Sequence, residues 1–173
     1  MSTDTDDNRE LVAEFWESLE KSRTLMLGVA GCSDNATRPM TAQMREVDGA
    51  DTDPKIYFFA SRSEGVGADV LAKPGARAIA AFTSKDHGIF ASIHGPLRTV
   101  EDKAIIDELW SPMAAMYYKD GREDPELLLL CLDAEDVSLW RSDTSGFLKS
   151  VAYKLMGKDA GRANPEDRAD VSL

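Results

Sequence analysis

Cysteine and histidine are scarce in this chain, with two of each. Cys32 and Cys131 lie far apart and form no C-x-x-C pair; each sits in an apolar segment and reads as a buried thiol acting as a small hydrophobe. His87 and His94 are too few and too isolated to build a metal site. Positive charge is also short. Against 31 Asp and Glu stand 20 Lys and Arg, for a formal net charge of -11. The basic residues are scattered, so no local patch offsets the repulsion from nucleic acid or anionic membrane. No apolar run reaches the roughly 20 residues of a membrane span. Met1 to Glu10 lacks the basic start and apolar centre of a signal peptide, and the expected location is the cytoplasm. The signatures of common catalysts are missing as well: there is no G-x-S-x-G, no P-loop, and no G-x-G-x-x-G opening a helix.

What remains is a chain of 173 residues, 43% of them hydrophobic, which suits one globular domain with a single core. Leu11, Phe15 and Leu19 recur at helical spacing, so Asp7 to Glu20 reads as an amphipathic helix. Strands are expected at Arg23–Gly31, at Pro39–Val47 with Met40, Ala42 and Met44 on one face, at Ile56–Ala60, and at Ala76–Thr83. A longer strand, Ile89–Val100, carries Gly95-Pro96, which marks a bulge or a close backbone contact. Leu127–Leu132 and Val137–Arg141 read as a final strand pair. Ser63–Ala72 is a short helix weakened by Gly65 and Gly67. Glu101–Trp110 is helical, Met113–Tyr118 adds a turn or two, and Phe147–Met156 forms a second amphipathic helix. Ser33–Thr37 and Gly49–Pro54 are turn and loop, and Lys85-Asp86-His87 is a hairpin tip. Strands that follow one another without a helix in every connection argue for an antiparallel barrel with peripheral helices, not a doubly wound sheet. The expected organisation is a flexible tail over residues 1–8, one domain over 9–157, and a polar tail over 158–173. From these residues alone the function stays open.

A succession of short motifs carries more. Arg38-Pro39-Met40 opens a strand and is followed by Ile56-Tyr57-Phe58-Phe59-Ala60 and Ser61-Arg62-Ser63. Next come Ala78-Ile79-Ala80-Ala81-Phe82 and Phe90-Ala91-Ser92-Ile93-His94-Gly95. Glu108-Leu109-Trp110-Ser111-Pro112, the Asp-Pro of Gly121–Pro125 and the closing Leu139-Trp140 complete the series. In order and spacing this resembles the bacterial general stress proteins of the pyridoxamine 5'-phosphate oxidase-like group, from about Leu11 to Trp140. The resemblance implies a mainly β split barrel that forms a homodimer and holds FMN, or FAD, at the subunit interface. It places the flavin phosphate at Arg38, Ser61 and Ser63, because a dianionic phosphate needs a guanidinium and hydroxyl donors. Pro39, Met40 and Thr41 then run along the ring edge, Phe59 and Ala60 line the same cleft, and Trp110 or Trp140 supplies apolar wall. Taken singly, Phe58 and Phe59 read as core.

The chain departs from that pattern in three places. Ser63-Glu64-Gly65 lacks the lysine of a Ser-x-Lys element. Gln43 is neutral where the oxidases hold substrate phosphate with a basic residue. No histidine follows His94, so the closing Arg-x-His element is missing. The implied function is a flavin-dependent oxidoreductase that does not oxidise pyridoxamine phosphate. The alternatives are a non-catalytic flavin-binding module and a dimeric scaffold that has lost its cofactor. No residue is assigned as catalytic.

Overall fold

A computed structural model describes residues 3–32, 37–45, 54–142 and 168–172. Helix α1 spans Thr3–Ser22 and begins ahead of the expected Asp7. Strand β1 is Thr24–Val29, β2 Arg38–Thr41 and β3 Lys55–Ser61. Helix α2 covers Gly65–Ala72, and the β4–β5 hairpin covers Arg77–Thr83 and Ile89–Val100. Helices α3 (Lys103–Leu109) and α4 (Pro112–Ala115) and a 3-10 turn at Gly121–Glu123 lead to β6 (Leu127–Asp133), β7 (Asp136–Arg141) and β8 (Arg168–Ser172). The loop expected at Gly49–Pro54 and the turn at Ser33–Thr37 fall almost wholly outside the described residues, and the helix at Phe147–Met156 does so entirely.

All strand pairs are antiparallel, in the order β2-β1-β4-β5-β6-β3, with β7 joined to β5 and β8 to β7. The two ends of that path meet. Gln43, just past β2, forms an isolated bridge with Tyr57 of β3. Each backbone N–H donates to the other's carbonyl at 2.8 Å. One bridge therefore closes the ring. Among the described residues no ladder joins β2 to β3 beyond it, so their edges diverge from that point. The expected antiparallel barrel with peripheral helices forms, and it is a split one.

The alternation in β4 is complete: Ala78, Ala80 and Phe82 are buried and Arg77, Ile79, Ala81 and Thr83 exposed. The barrel interior combines these with Leu25, Leu27, Phe58, Ile93, Leu130 and Leu139, and α1 caps it with Phe15 and Leu19. β6 reads as an unbroken apolar run because both of its faces are covered. Leu128, Leu130 and Leu132 point into the barrel. Leu129 and Cys131 meet Leu109, Ile105 and Ile106 of α3 on the outside.

β6 and β7 both form where expected, but they do not pair with each other. β6 lies between β3 and β5, and β7 between β5 and β8. β5 makes this possible. Its first part pairs with β7 over Ile89–His94, and its last with β6 over Leu97–Val100. The change of partner falls on Gly95-Pro96, inside a strand that stays continuous. Arg168–Ser172, expected as polar tail, is a strand added to β7.

Candidate functional site

The split between β2 and β3 is a cleft of about 850 Å3. This lies within the range of about 300–1,000 Å3 common for small-molecule sites. One wall is Arg38, Pro39, Met40, Thr41 and Gln43. The facing wall is Phe59, Ala60, Ser61 and Ser63, continued by Glu64, Gly65 and Val66 at the start of α2. Because the two edges part after the Gln43–Tyr57 bridge, each presents an unladdered strand edge to whatever lies between them. Of the nine residues expected at a cofactor site, eight line this cleft: Arg38, Pro39, Met40, Thr41, Phe59, Ala60, Ser61 and Ser63.

Trp110 is the ninth, and it stands behind the wall. Its ring meets Phe59 edge-on at 5.5 Å and Tyr118 at 6.1 Å, and both of those residues line the cleft. The Arg122 guanidinium lies 6.0 Å from the Trp110 ring centroid on the ring's face. Trp140, the alternative, sits on β7 opposite Phe90 and does not reach the cleft. Phe58 is core with no exposed surface, whereas Phe59 is half-buried and faces the cleft.

The remaining lining comes from segments that sequence spacing does not connect to β2 or β3. Met113, Ala114, Tyr117 and Tyr118 arrive from α4 and the turn after it. Ser111 caps α4, accepting at Oγ from the Ala114 N–H at 3.2 Å, and Pro112 follows at the first helical position. Arg45 Nη2 meets Glu108 Oε2 at 2.8 Å and ties α3 to the end of the β2 segment. Burial, with Asp124 adding, pushes the Tyr118 phenol up to about 12, so it stays a neutral hydroxyl at working pH.

Glu126 is the lining residue with the most bonds to the expected site. Its Oε2 accepts from Ser61 Oγ at 2.9 Å, from Ser63 Oγ at 2.7 Å and from the Ser63 N–H at 3.2 Å. The hydroxyl of Ser63, then that of Ser61, holds its carboxyl below the usual range. Arg38 Nη1 lies 3.8 Å from Asp69 of α2. No histidine, cysteine or lysine is among the described residues lining the cleft, which leaves Glu64, Glu126 and two tyrosines as its proton-exchanging groups. No cluster of three potential metal ligands occurs among the described residues.

Gly67 lets α2 lie close against the end of β3. A Cβ at Gly67 would stand 2.0 Å from the Ser61 carbonyl oxygen and 3.3 Å from Ala60 Cβ. Helix propensity alone predicts that Gly67→Ala stabilises by about 1 kcal/mol. The backbone clash reverses the sign, with an expected net loss of about 2 kcal/mol. Thermal denaturation decides, and a rise in melting temperature would show that helix and strand can separate freely.

The family model described as pyridoxamine 5'-phosphate oxidase like matches residues 10–162. No curated protein matches the chain. Among solved structures it is similar to the general stress FMN/FAD binding protein of Xanthomonas citri, with 42% identity over 79% of this chain and 92% of that one, at a TM-score of 0.69. A general stress family protein of Xanthomonas campestris pv. campestris is 41% identical over 79% and 90%, at 0.67. General stress protein 26 of Jannaschia sp. CCS1, at 24% identity over 95% and 99% and a TM-score of 0.73, shares the fold. A barrel closed by one bridge and split along β2 and β3, matched over most of its length by one family model and by relatives above 40% identity, places the chain in the pyridoxamine 5'-phosphate oxidase-like family.

Proposed function

We propose that the cleft between β2 and β3 binds FMN and that the protein works as a flavin-dependent oxidoreductase. One observation carries the reading. Arg38, Ser61 and Ser63 line one cleft together with the apolar Met40, Phe59, Ala60 and Val66, and Gly65, two residues beyond Ser63, packs against Arg38. A flavin mononucleotide combines the same two characters, with a dianionic phosphate at one end and a flat ring at the other. The donor set fits an anion, since a single carboxylate oxygen already accepts from both serine hydroxyls and one backbone N–H. Met40, Phe59, Ala60 and Val66 suit the ring, and the open edges of β2 and β3 suit its polar rim. A bound flavin supplies the electron-transfer chemistry, while the protein binds, orients and shields it. The name of the Xanthomonas citri relative supports a flavin.

Titration with FMN, followed by quenching of flavin fluorescence, tests the binding. Saturable quenching at micromolar FMN is expected, and its absence would remove the assignment. Anaerobic reduction of the loaded protein by NADH or NADPH tests the redox role, which requires a rate above that of free flavin. A non-catalytic flavin-binding module is the second reading. It is favoured by the lack of histidine, cysteine or lysine among the described lining residues.

We infer that the working form is a cytoplasmic homodimer. Met116 and Tyr117 beside the cleft are 84% and 80% exposed, an apolar surface suited to cover by a second copy. A monomeric mass by light scattering at micromolar concentration would overturn this. Gln43, neutral and part of the closing bridge, offers no charge to a second phosphate, so pyridoxamine phosphate is not assigned as substrate.

A further inference from the structure

The phosphate-side donors of the cleft already hold an anion, and it belongs to the chain itself. Glu126 lies one residue before β6, where the Ser61–Leu127 pair ends the β3–β6 ladder. The Glu126 carbonyl accepts from the Arg62 N–H at 3.0 Å, which fixes this backbone against the turn that leaves β3. From there the side chain folds over the turn. Its Oε2 takes three hydrogen bonds, from the Ser61 hydroxyl, the Ser63 hydroxyl and the Ser63 N–H. Convergence of hydroxyl and backbone donors on one oxygen is the means by which proteins hold a phosphate oxygen. The same bonds favour the ionised carboxyl, holding its pKa below the ordinary glutamate value.

We propose that Glu126 is an internal occupant of the phosphate position and sets the flavin selectivity of the cleft. This rests on the flavin reading above. A flavin that bears a phosphate has to displace the carboxylate, and a flavin that lacks one does not. The two anions cannot share the same donors, because each serine hydroxyl has one proton to give. Repulsion between them adds to the competition. The balance at this end is already acidic: Glu64 flanks the site, and Arg38, the single cation among the described lining residues, has Asp69 at 3.8 Å. The side chain of Glu126 is exposed, so it has room to swing into water when an anion enters. Glu126 thereby compresses the advantage of FMN over riboflavin, which carries the same ring without phosphate.

The test is a titration of the full-length protein with FMN and with riboflavin at fixed ionic strength, read by flavin fluorescence quenching. Glu126→Gln keeps a carbonyl acceptor for the serine hydroxyls, removes the charge and adds an amide donor. Because a neutral amide oxygen holds the serine hydroxyls more weakly than a carboxylate and does not repel a phosphate, this variant is expected to bind FMN at least tenfold tighter than the parent while riboflavin affinity stays within twofold. Glu126→Asp keeps the charge and is expected to show no such gain, which separates charge from side-chain shape. An FMN affinity unchanged in Glu126→Gln, or an equal gain for both flavins, would overturn the proposal. A parent protein that binds FMN with a Glu126-independent preference over riboflavin leaves the flavin assignment standing and removes only this inference. Failure of the parent and both variants to bind either flavin removes both. Binding of FMN by Glu126→Gln alone supports both.

Discussion

Arg38→Ala is expected to weaken FMN binding about a hundredfold and to leave riboflavin binding within twofold. Arg38 opens β2, and its Cα partner across the ladder is Leu27 of β1. Strand pairing therefore fixes where its side chain starts. Gly65, at the N-terminus of α2, packs against it: a Cβ there would lie 3.5 Å from Arg38 Cδ. A positioned guanidinium donates two parallel hydrogen bonds to a phosphate, each worth about 1.5–3 kcal/mol. With the Arg38 side chain 41% exposed, solvent competes and the lower end of that range applies. Two such bonds amount to about 3 kcal/mol, or about two decades in affinity. Arg38→Lys restores charge without the planar fork and is expected to fall between the two. The melting temperature of ligand-free Arg38→Ala should change by less than about 2 °C, since a half-exposed arginine contributes little to folding. FMN affinity unchanged in Arg38→Ala would mean that the phosphate lies elsewhere.

The largest loss of stability is expected from Gly95→Ala. A Cβ at this position would stand 1.6 Å from the Asp133 carbonyl oxygen, 2.9 Å from its carbon and 3.2 Å from the Glu135 N. All three are backbone atoms, with no side-chain rotamer available to relieve the overlap. The Glu135 N–H also donates to the His94 carbonyl at 3.1 Å, so the β6–β7 connection is bonded down onto β5 at this point. Accommodating one methyl group requires lifting that connection away. It also disturbs the Leu97–Leu132 pair where β5 turns to β6. Overpacking costs about 3 kcal/mol or more in such a place. Against the roughly 5–15 kcal/mol that stabilises a domain, this is a large share. For a chain of this size it corresponds to a fall in melting temperature of about 6–12 °C. Thermal denaturation followed by circular dichroism reads the result, and a fall under 2 °C would show that the β5–β6 crossing can open at little cost.

These two positions were not equally legible. Arg38 is visible in the sequence because Arg-Pro-Met stands at a strand start, ahead of an aromatic strand and a pair of serines. Gly95 is legible as a glycine that marks a bulge or a close backbone contact, and the close contact is there, but its partner Asp133 emerges only from the β5–β6 register. Gly67 misleads outright. By propensity it is a flaw in a short helix, whereas in the fold it admits the Ser61 carbonyl to within a distance no side chain allows. Trp110 does not line the cleft of this chain, and its ring packs on Phe59 and Tyr118, which do.

Elements whose signal is local were legible from the order of residues. The alternation of Arg77–Thr83, the helical spacing of Leu11, Phe15 and Leu19, and the turn at Lys85–His87 follow from periodicity and turn chemistry. Neighbouring residues decide such features. Motif order then identified the β2 and β3 walls of the cleft, because each wall is one short contiguous stretch. What crosses between distant segments emerged only with the folded chain. It brought Glu126 onto Ser61 and Ser63, separated β6 from β7, added β8 to β7, and closed the barrel with one bridge between Gln43 and Tyr57. Each of these depends on strand register. A shift of one residue turns every side chain to the opposite face, and register is set by the packing of the whole core rather than by any local run of residues.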